Sequence, residues 1–494
     1  MALTTRRGRI SAMTNPASPS VVARAPRPRG AAPAPRFPGA PDVTLPLRFL
    51  LFGLACLFLG VGLLVARPDL LATYHYNQHI VAVTHLFVLG FVLSVVMGAL
   101  YQLAPVALET QLASERLARW HFPVHVVSVA GMVWMFWVWD MKQVGHFGSG
   151  LALGVGLFVW NLVRTLRRVR GWTVVSFGIA SCLGWLVAVL VAGLAVAAAK
   201  STYELVGRAD VFRPLAVTLA GLKATADFLS HFEPLAVMHA HAHLGIAGVF
   251  VVLTTSVAYK LVPMFLIADV QNPRRAWASI WMLNVGLGAV FLAILRQSAW
   301  KPVAALVLVA GLVLYGLELG AIVRARRRRA LDWGLRGFLT AQALLGPTAL
   351  LGWWLSRPST VLDDFTGRLE NAYGVLAVLG VIAFSIVGML HKIVPFLVWF
   401  AAYSREVGRA RTPALHEMYS ARVQAVGFWL WVGGLGLLLT GILLASAPLN
   451  RAGACLLAGS LVALAFNTAG VLSHLVRPRL EPLAFAGRAP FASL

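Results

Sequence analysis

Residues 84–105 read THLFVLGFVLSVVMGALYQLAP and residues 242–263 read AHLGIAGVFVVLTTSVAYKLVP. In each, a histidine (His85, His243) is followed by glycine after 5 residues (Gly90, Gly248), tyrosine after 16 (Tyr101, Tyr259) and proline after 20 (Pro105, Pro263). A third stretch, GVLAVLGVIAFSIVGMLHKIVP at 374–395, keeps Gly380 and Pro395 in register but has Val375 for the histidine and His391 for the tyrosine. Crossing a hydrocarbon core takes roughly 20 apolar residues as a helix, whereas a barrel strand takes about ten with alternating polarity. These runs do not alternate, so they predict membrane helices.

The rest of the chain extends that reading. Of its 494 residues 59% are hydrophobic and 12% charged, against about a quarter charged in soluble domains. Twelve apolar runs are long enough to span, and the repeated register falls in the second, sixth and tenth. The expected fold is therefore all-α: a polytopic membrane protein of about twelve transmembrane helices, built as a pseudo-threefold repeat of four-helix units. Each copy also carries a small residue seven before its proline, Gly98, Ser256 and Gly388, which lets helices approach closely in lipid.

A net charge of +24 invites a nucleic-acid reading, but the placement of the basic residues argues against one. Of the 42 Lys and Arg, 29 fall in one alternate set of loops and tails and 11 in the other. That asymmetry follows the positive-inside rule and places both termini in the cytoplasm. Lipid is the expected partner and nucleic acid is not. Residues 1–43, rich in Arg, Pro, Ala and Ser, read as a disordered basic cytoplasmic tail, residues 44–476 as the transmembrane domain, and residues 477–494 as a short cytoplasmic tail. The three cysteines, Cys56, Cys182 and Cys455, form no C-x-x-C-H haem site and no zinc or disulfide framework.

Ligand-capable side chains inside a membrane are costly and usually functional. His85 and His243 enter at one depth on two related helices, the arrangement needed to clamp a b-type haem iron from both sides. In the run HAHAH at 239–243, His239 shares a face with His243 and is an alternative ligand, whereas His241 points about 200° away. His241 is thus a candidate for a second haem, or a polar group in a pocket wall. His75 and His79 in HYNQH are spaced i, i+4, which suits copper, iron or zinc if the segment is helical; loop histidines without a ligand role are the alternative. Other polar groups carry structural expectations. His121, His125, His416 and His474 read as interfacial, Tyr101 and Tyr259 as an aromatic belt, and Glu318 as the main buried acid for a proton path. Residues 200–232 read as an outer loop whose amphipathic helix roofs the site. No catalytic residue is assigned.

The pair His241 and His243, followed by Pro263 in VAYKLVPMF, together with residues 84–105, resembles the catalytic subunit I of the haem-copper oxidases. The resemblance extends to that superfamily's cbb-type and nitric oxide reductase-like members and to the NnrS family of haem- and copper-containing membrane proteins. It implies that His243 binds a low-spin haem opposite His85, and that His241 is the proximal ligand of a high-spin haem. The superfamily's copper site needs an adjacent His-His pair, and this chain has none. The resemblance further implies a bacterial-type inner (plasma) membrane, one or two b-type haems, and an external electron donor or partner subunit. The expected function is a haem-binding integral membrane redox protein that transfers electrons or reduces a small diatomic ligand such as O2 or NO. The alternative is a non-catalytic membrane transporter or sensor that binds haem or copper.

Overall fold

The computed structural model describes residues 41–205, 216–358, 360 and 363–482. Twelve of its helices are long and apolar enough to cross a membrane: α1 Thr44–Ala66, α2 Gln78–Ala107, α3 Glu115–Val138, α4 Met141–Leu166, α5 Val174–Ser201, α6 Pro234–Leu266, α7 Pro273–Leu295, α8 Lys301–Arg324, α9 Trp333–Leu355, α10 Asp364–Tyr403, α11 Ala421–Leu443 and α12 Ala447–Val476. The chain is an all-α polytopic membrane protein. Short polar residues start many of these helices: the side chains of Asn77, Asp140, Asn272 and Asp363 each accept a first-turn backbone N–H, satisfying donors that the helix itself leaves open. Most of the expected tail 1–43 and residues 483–494 lie outside the described residues, as do residues 206–215 of the expected roof. Beyond α12, Glu481–Pro482 pairs antiparallel with Ala410–Arg411.

The repeat sets the architecture. In each four-helix unit the third and fourth helices pack as a hairpin, α3 with α4, α7 with α8 and α11 with α12. The second helices are the central ones: the most apolar stretches of α2, α6 and α10 are 61%, 72% and 72% buried, against 22–50% for the other nine. The middle of α10 touches the middles of both α2 and α6. Polar residues repeated at one register thus meet near a common axis.

Each central helix presses against the helix before it through its small residue. A Cβ on Gly98 would lie 2.7 Å from Phe49 Cβ in α1, and one on Gly388 would lie 2.7 Å from the Gly334 carbonyl oxygen in α9. In the middle unit the contact is reversed in kind: a Cβ on Gly178 of α5 would lie 1.8 Å from Ser256 Oγ. Backbone cannot yield as a side-chain tip can, so Gly388→Val is expected to destabilise the bundle by about 1–3 kcal/mol. Equilibrium unfolding in mixed micelles measures this; wild-type stability in the variant would refute the close approach.

The three prolines do not end their helices. Helix runs on past Pro105 to Ala107 and past Pro263 to Leu266, less than one further turn in each, and past Pro395 as far as Tyr403. The irregularity lies earlier, where Leu86–Leu93, Leu244–Val251 and Leu376–Ala383 wind as π-helix. Each π section is 8 residues long and begins immediately after His85, His243 or Val375. Hydroxyls one to four residues beyond each section donate back into its carbonyls, Ser94 to Leu89, Thr255 to Val251 and Ser385 to Val381. π turns of this kind are rare and gather at functional sites.

Several polar residues expected at the membrane interface are instead packed between helices. Tyr101 is fully buried, with its hydroxyl 2.9 Å from His121 Nδ1, and Tyr259 lies 2.8 Å from Ser279 Oγ. His125 meets Ser94 Oγ at 2.8 Å, and His474 meets Tyr403 at 2.6 Å. A buried phenol or imidazole needs such a partner because lipid and apolar core supply none. Glu318 is likewise a structural group. It accepts the backbone N–H groups of Gln271 and Asn272 at 2.6 and 2.9 Å and Arg275 Nε at 2.8 Å, and so fastens the loop between α6 and α7.

Candidate functional site

The N-terminal portions of α2, α6 and α10 surround a cavity of about 1870 Å³. His85, His239, His241, His243 and Glu370 line it from these helices, and His75 lines it from the segment before α2. Apolar side chains such as Phe87, Phe136, Leu190 and Val249 form most of its wall, with Lys200, Lys301, Arg357 and Arg368 among its lining cations. Ala226 and Leu229, on the helix Ala216–Leu229, also face it. That helix belongs to the loop expected to roof the site.

The rings of His85 and His243 are set in the same way. His85 Nδ1 lies 2.7 Å from the Val81 carbonyl oxygen, and His243 Nδ1 lies 2.7 Å from that of His239, each four residues back on its own helix. A carbonyl only accepts, so Nδ1 carries the proton in both and Nε2 keeps its lone pair, the tautomer a metal ligand needs. His85 stacks on Phe136, with ring centroids 4.4 Å apart. His243 Nε2 has the Tyr373 hydroxyl at 3.3 Å, a long contact for an O–H donor. His241, about half a turn away on the other face of α6, packs over Gly193, where a Cβ would come within 2.9 Å of its Cε1. Its Nδ1 is buried without a hydrogen-bond partner.

The HYNQH segment is arranged differently from a helix. Ordered helix begins only at Gln78, with Asn77 as its cap, so His75 and His79 are not one turn apart. The His79 ring packs against Trp137, with centroids 4.5 Å apart. His75 turns instead to α6, where its Nε2 meets His239 Nε2 at 3.0 Å, and its Nδ1 stands 3.8 Å from Glu370 Oε2 of α10. Burial, partly offset by Asn371, holds the His75 imidazole below its ordinary pKa. His231 lies away from this group, bonded through Nδ1 to the Asp227 carbonyl oxygen at 2.8 Å.

The structure thus brings five of the six sequence-derived candidates, His75, His85, His239, His241 and His243, to one cavity and leaves His79 aside. Sequence reasoning passed over Glu370 and Tyr373, which enter from the third repeat. Both sit just before Val375, where LENAYG puts an acid, an amide and a phenol at the start of a membrane helix, and that signal was available. No protein-family model matches the chain, and no curated protein matches it.

Proposed function

We propose that this chain is a haem-binding integral membrane redox protein in which His85 and His243 hold a b-type haem. The observation carrying the proposal is the pair of 2.7 Å Nδ1 bonds to carbonyls four residues back, at matched positions of two repeats and inside one apolar cavity. The residues fit the group. Two Nε2 lone pairs are available, and the cavity exceeds the roughly 300–1,000 Å³ of an ordinary small-molecule pocket. Lys200, Lys301, Arg357 and Arg368 offer positive charge to propionates.

Bound haem supplies reversible one-electron chemistry at iron, with a potential set by its axial ligands and their hydrogen bonds. Around it, the Val81 and His239 carbonyls fix ring orientation and increase imidazole basicity. Phe87, Phe136, Leu190 and Val249 exclude water. His241, with its unpartnered Nδ1, is the candidate ligand for a second haem at which O2 or NO would react. The excess of basic residues in one set of loops supports cytoplasmic termini with this end of the bundle on the outer side, and the resemblance implies a bacterial-type inner membrane as the setting. Electrons then come from an external donor or a partner subunit. The membership this reading implies is a divergent one near the haem-copper oxidases, without their copper site.

Pyridine haemochrome quantification and a reduced-minus-oxidised optical spectrum of the detergent-purified protein test this reading. One or two haems per chain with a sharp α band support it; protein without haem, from cells supplied with haem, overturns it. The three π sections in the central helices favour a second reading, a transporter or sensor with haem or copper as cargo or signal, because departures from regular helix mark substrate sites in transporters. Under that reading haem washes out during purification instead of titrating reversibly in place.

A further inference from the structure

We propose that His75, His239 and Glu370 form a binding site for a divalent first-row transition ion, separate from the His85 and His243 pair. One donor atom from each of the three lies within 4.8 Å of the other two. Two imidazole nitrogens sharing a tetrahedral ion at about 2.0–2.1 Å stand about 3.3 Å apart, and the two Nε2 atoms here are 3.0 Å apart. Only one of them can hold a proton in that contact; an ion between them takes its place and that ring carries its proton on Nδ1 instead, so two neutral imidazoles bind without net loss of a proton.

A purely structural hydrogen-bond cluster would close on itself, and this one does not. The buried His75 Nδ1 has no partner at hydrogen-bond distance: the neighbouring Asn371 amide oxygen is itself unpaired, and Glu370 Oε2 at 3.8 Å is too distant to accept. The donors are nevertheless pre-positioned by three different parts of the fold. The strand of chain carrying His75 is tied to α10 by Asn371 Nδ2, which donates to the Thr73 carbonyl oxygen at 2.6 Å. His239 and Glu370 lie on the second turns of α6 and α10 and His75 lies just before α2, so each of the three repeats contributes one donor.

Two imidazoles and one carboxylate suit iron(II) or zinc(II), and a three-donor set leaves a position open. That position faces the cavity, since all three residues line it. None of the three cysteines does, so the set has no thiolate. His239 also ties the ion to its surroundings, because its carbonyl oxygen orients His243. The ion site does not depend on haem occupying the neighbouring ligands.

Full-length protein without a histidine tag, stripped with chelator in detergent, is titrated with cobalt(II), followed by visible absorption and by metal analysis after gel filtration. One cobalt per chain with ligand-field bands is expected, displaced by zinc(II). Affinity should fall at least tenfold in His75→Gln, His239→Gln and Glu370→Gln and stay unchanged in His79→Gln. Gel filtration and helical circular dichroism confirm that each variant is folded, and Glu370→Asp, which keeps the carboxylate, should retain cobalt better than Glu370→Gln. Wild type that takes up no cobalt, or three variants that bind it as tightly as wild type, would overturn the site. Haem is quantified on the same samples: cobalt bound without haem leaves this site standing and removes the haem reading, and haem without cobalt does the reverse.

Discussion

His85→Ala and His243→Ala are each expected to lower the haem bound per chain about tenfold or more. Both rings have the same 2.7 Å tether through Nδ1, and losing even an outer partner of a ligating histidine commonly costs 10–100-fold in metal affinity. Loss of a ligand itself costs at least that. Val81 reaches His85 only through its carbonyl oxygen, so Val81→Ala should keep haem. Val375 stands at the corresponding place in the third repeat without an imidazole, so Val375→Ala should keep it too. Pyridine haemochrome assays on equal amounts of folded protein read the result. Haem retained in both histidine variants would place the ligands elsewhere, with His239, on the same face as His243, the first candidate.

Glu318→Ala carries the second large effect, and that effect is on stability. The carboxylate is fully buried and holds three donors: two backbone N–H groups and the Arg275 guanidinium, at 2.6 to 2.9 Å. Removing the buried carboxylate leaves two backbone N–H groups and the Arg275 guanidinium, itself 28% exposed, without their shared acceptor, a loss expected to cost about 2–4 kcal/mol. Glu318 does not line the histidine cavity, so haem or metal content per folded chain should not change. Equilibrium unfolding in mixed micelles measures the loss, with Glu318→Gln intermediate because it still accepts hydrogen bonds. A loss within about 1 kcal/mol would show that the loop between α6 and α7 is held by other contacts.

The transmembrane plan was legible because it rests on run length and repetition. Crossing a bilayer demands about 20 apolar residues, and a register kept in three helices survives any uncertainty about where each helix ends. The pairing of His85 with His243 followed from the same register, whereas His241 lies outside it and was read from the HAHAH run. What the sequence hid depends on local winding and on tertiary pairing. The π sections LFVLGFVL, LGIAGVFV and LAVLGVIA have no composition that separates them from ordinary apolar helix; shared placement after one register position is their only signal. His75 seemed to belong with His79 by spacing, but the chain is not helical until Gln78, so its partner is His239, 164 residues away. The buried tyrosines had the same difficulty. Nothing in a linear run distinguishes a phenol at the headgroup level from one whose hydroxyl reaches His121 or Ser279 across a helix contact.

The central claim is that imidazoles from α2 and α6 grip one iron from opposite sides. Electron paramagnetic resonance of the oxidised, detergent-purified protein addresses it most directly, recorded on wild type and on His85→Ala and His243→Ala. The account expects a low-spin ferric signal of two axial imidazoles in wild type, and its loss or conversion to high spin in each variant. Haem that is high-spin in wild type, or a low-spin signal that persists unchanged in both variants, would contradict it.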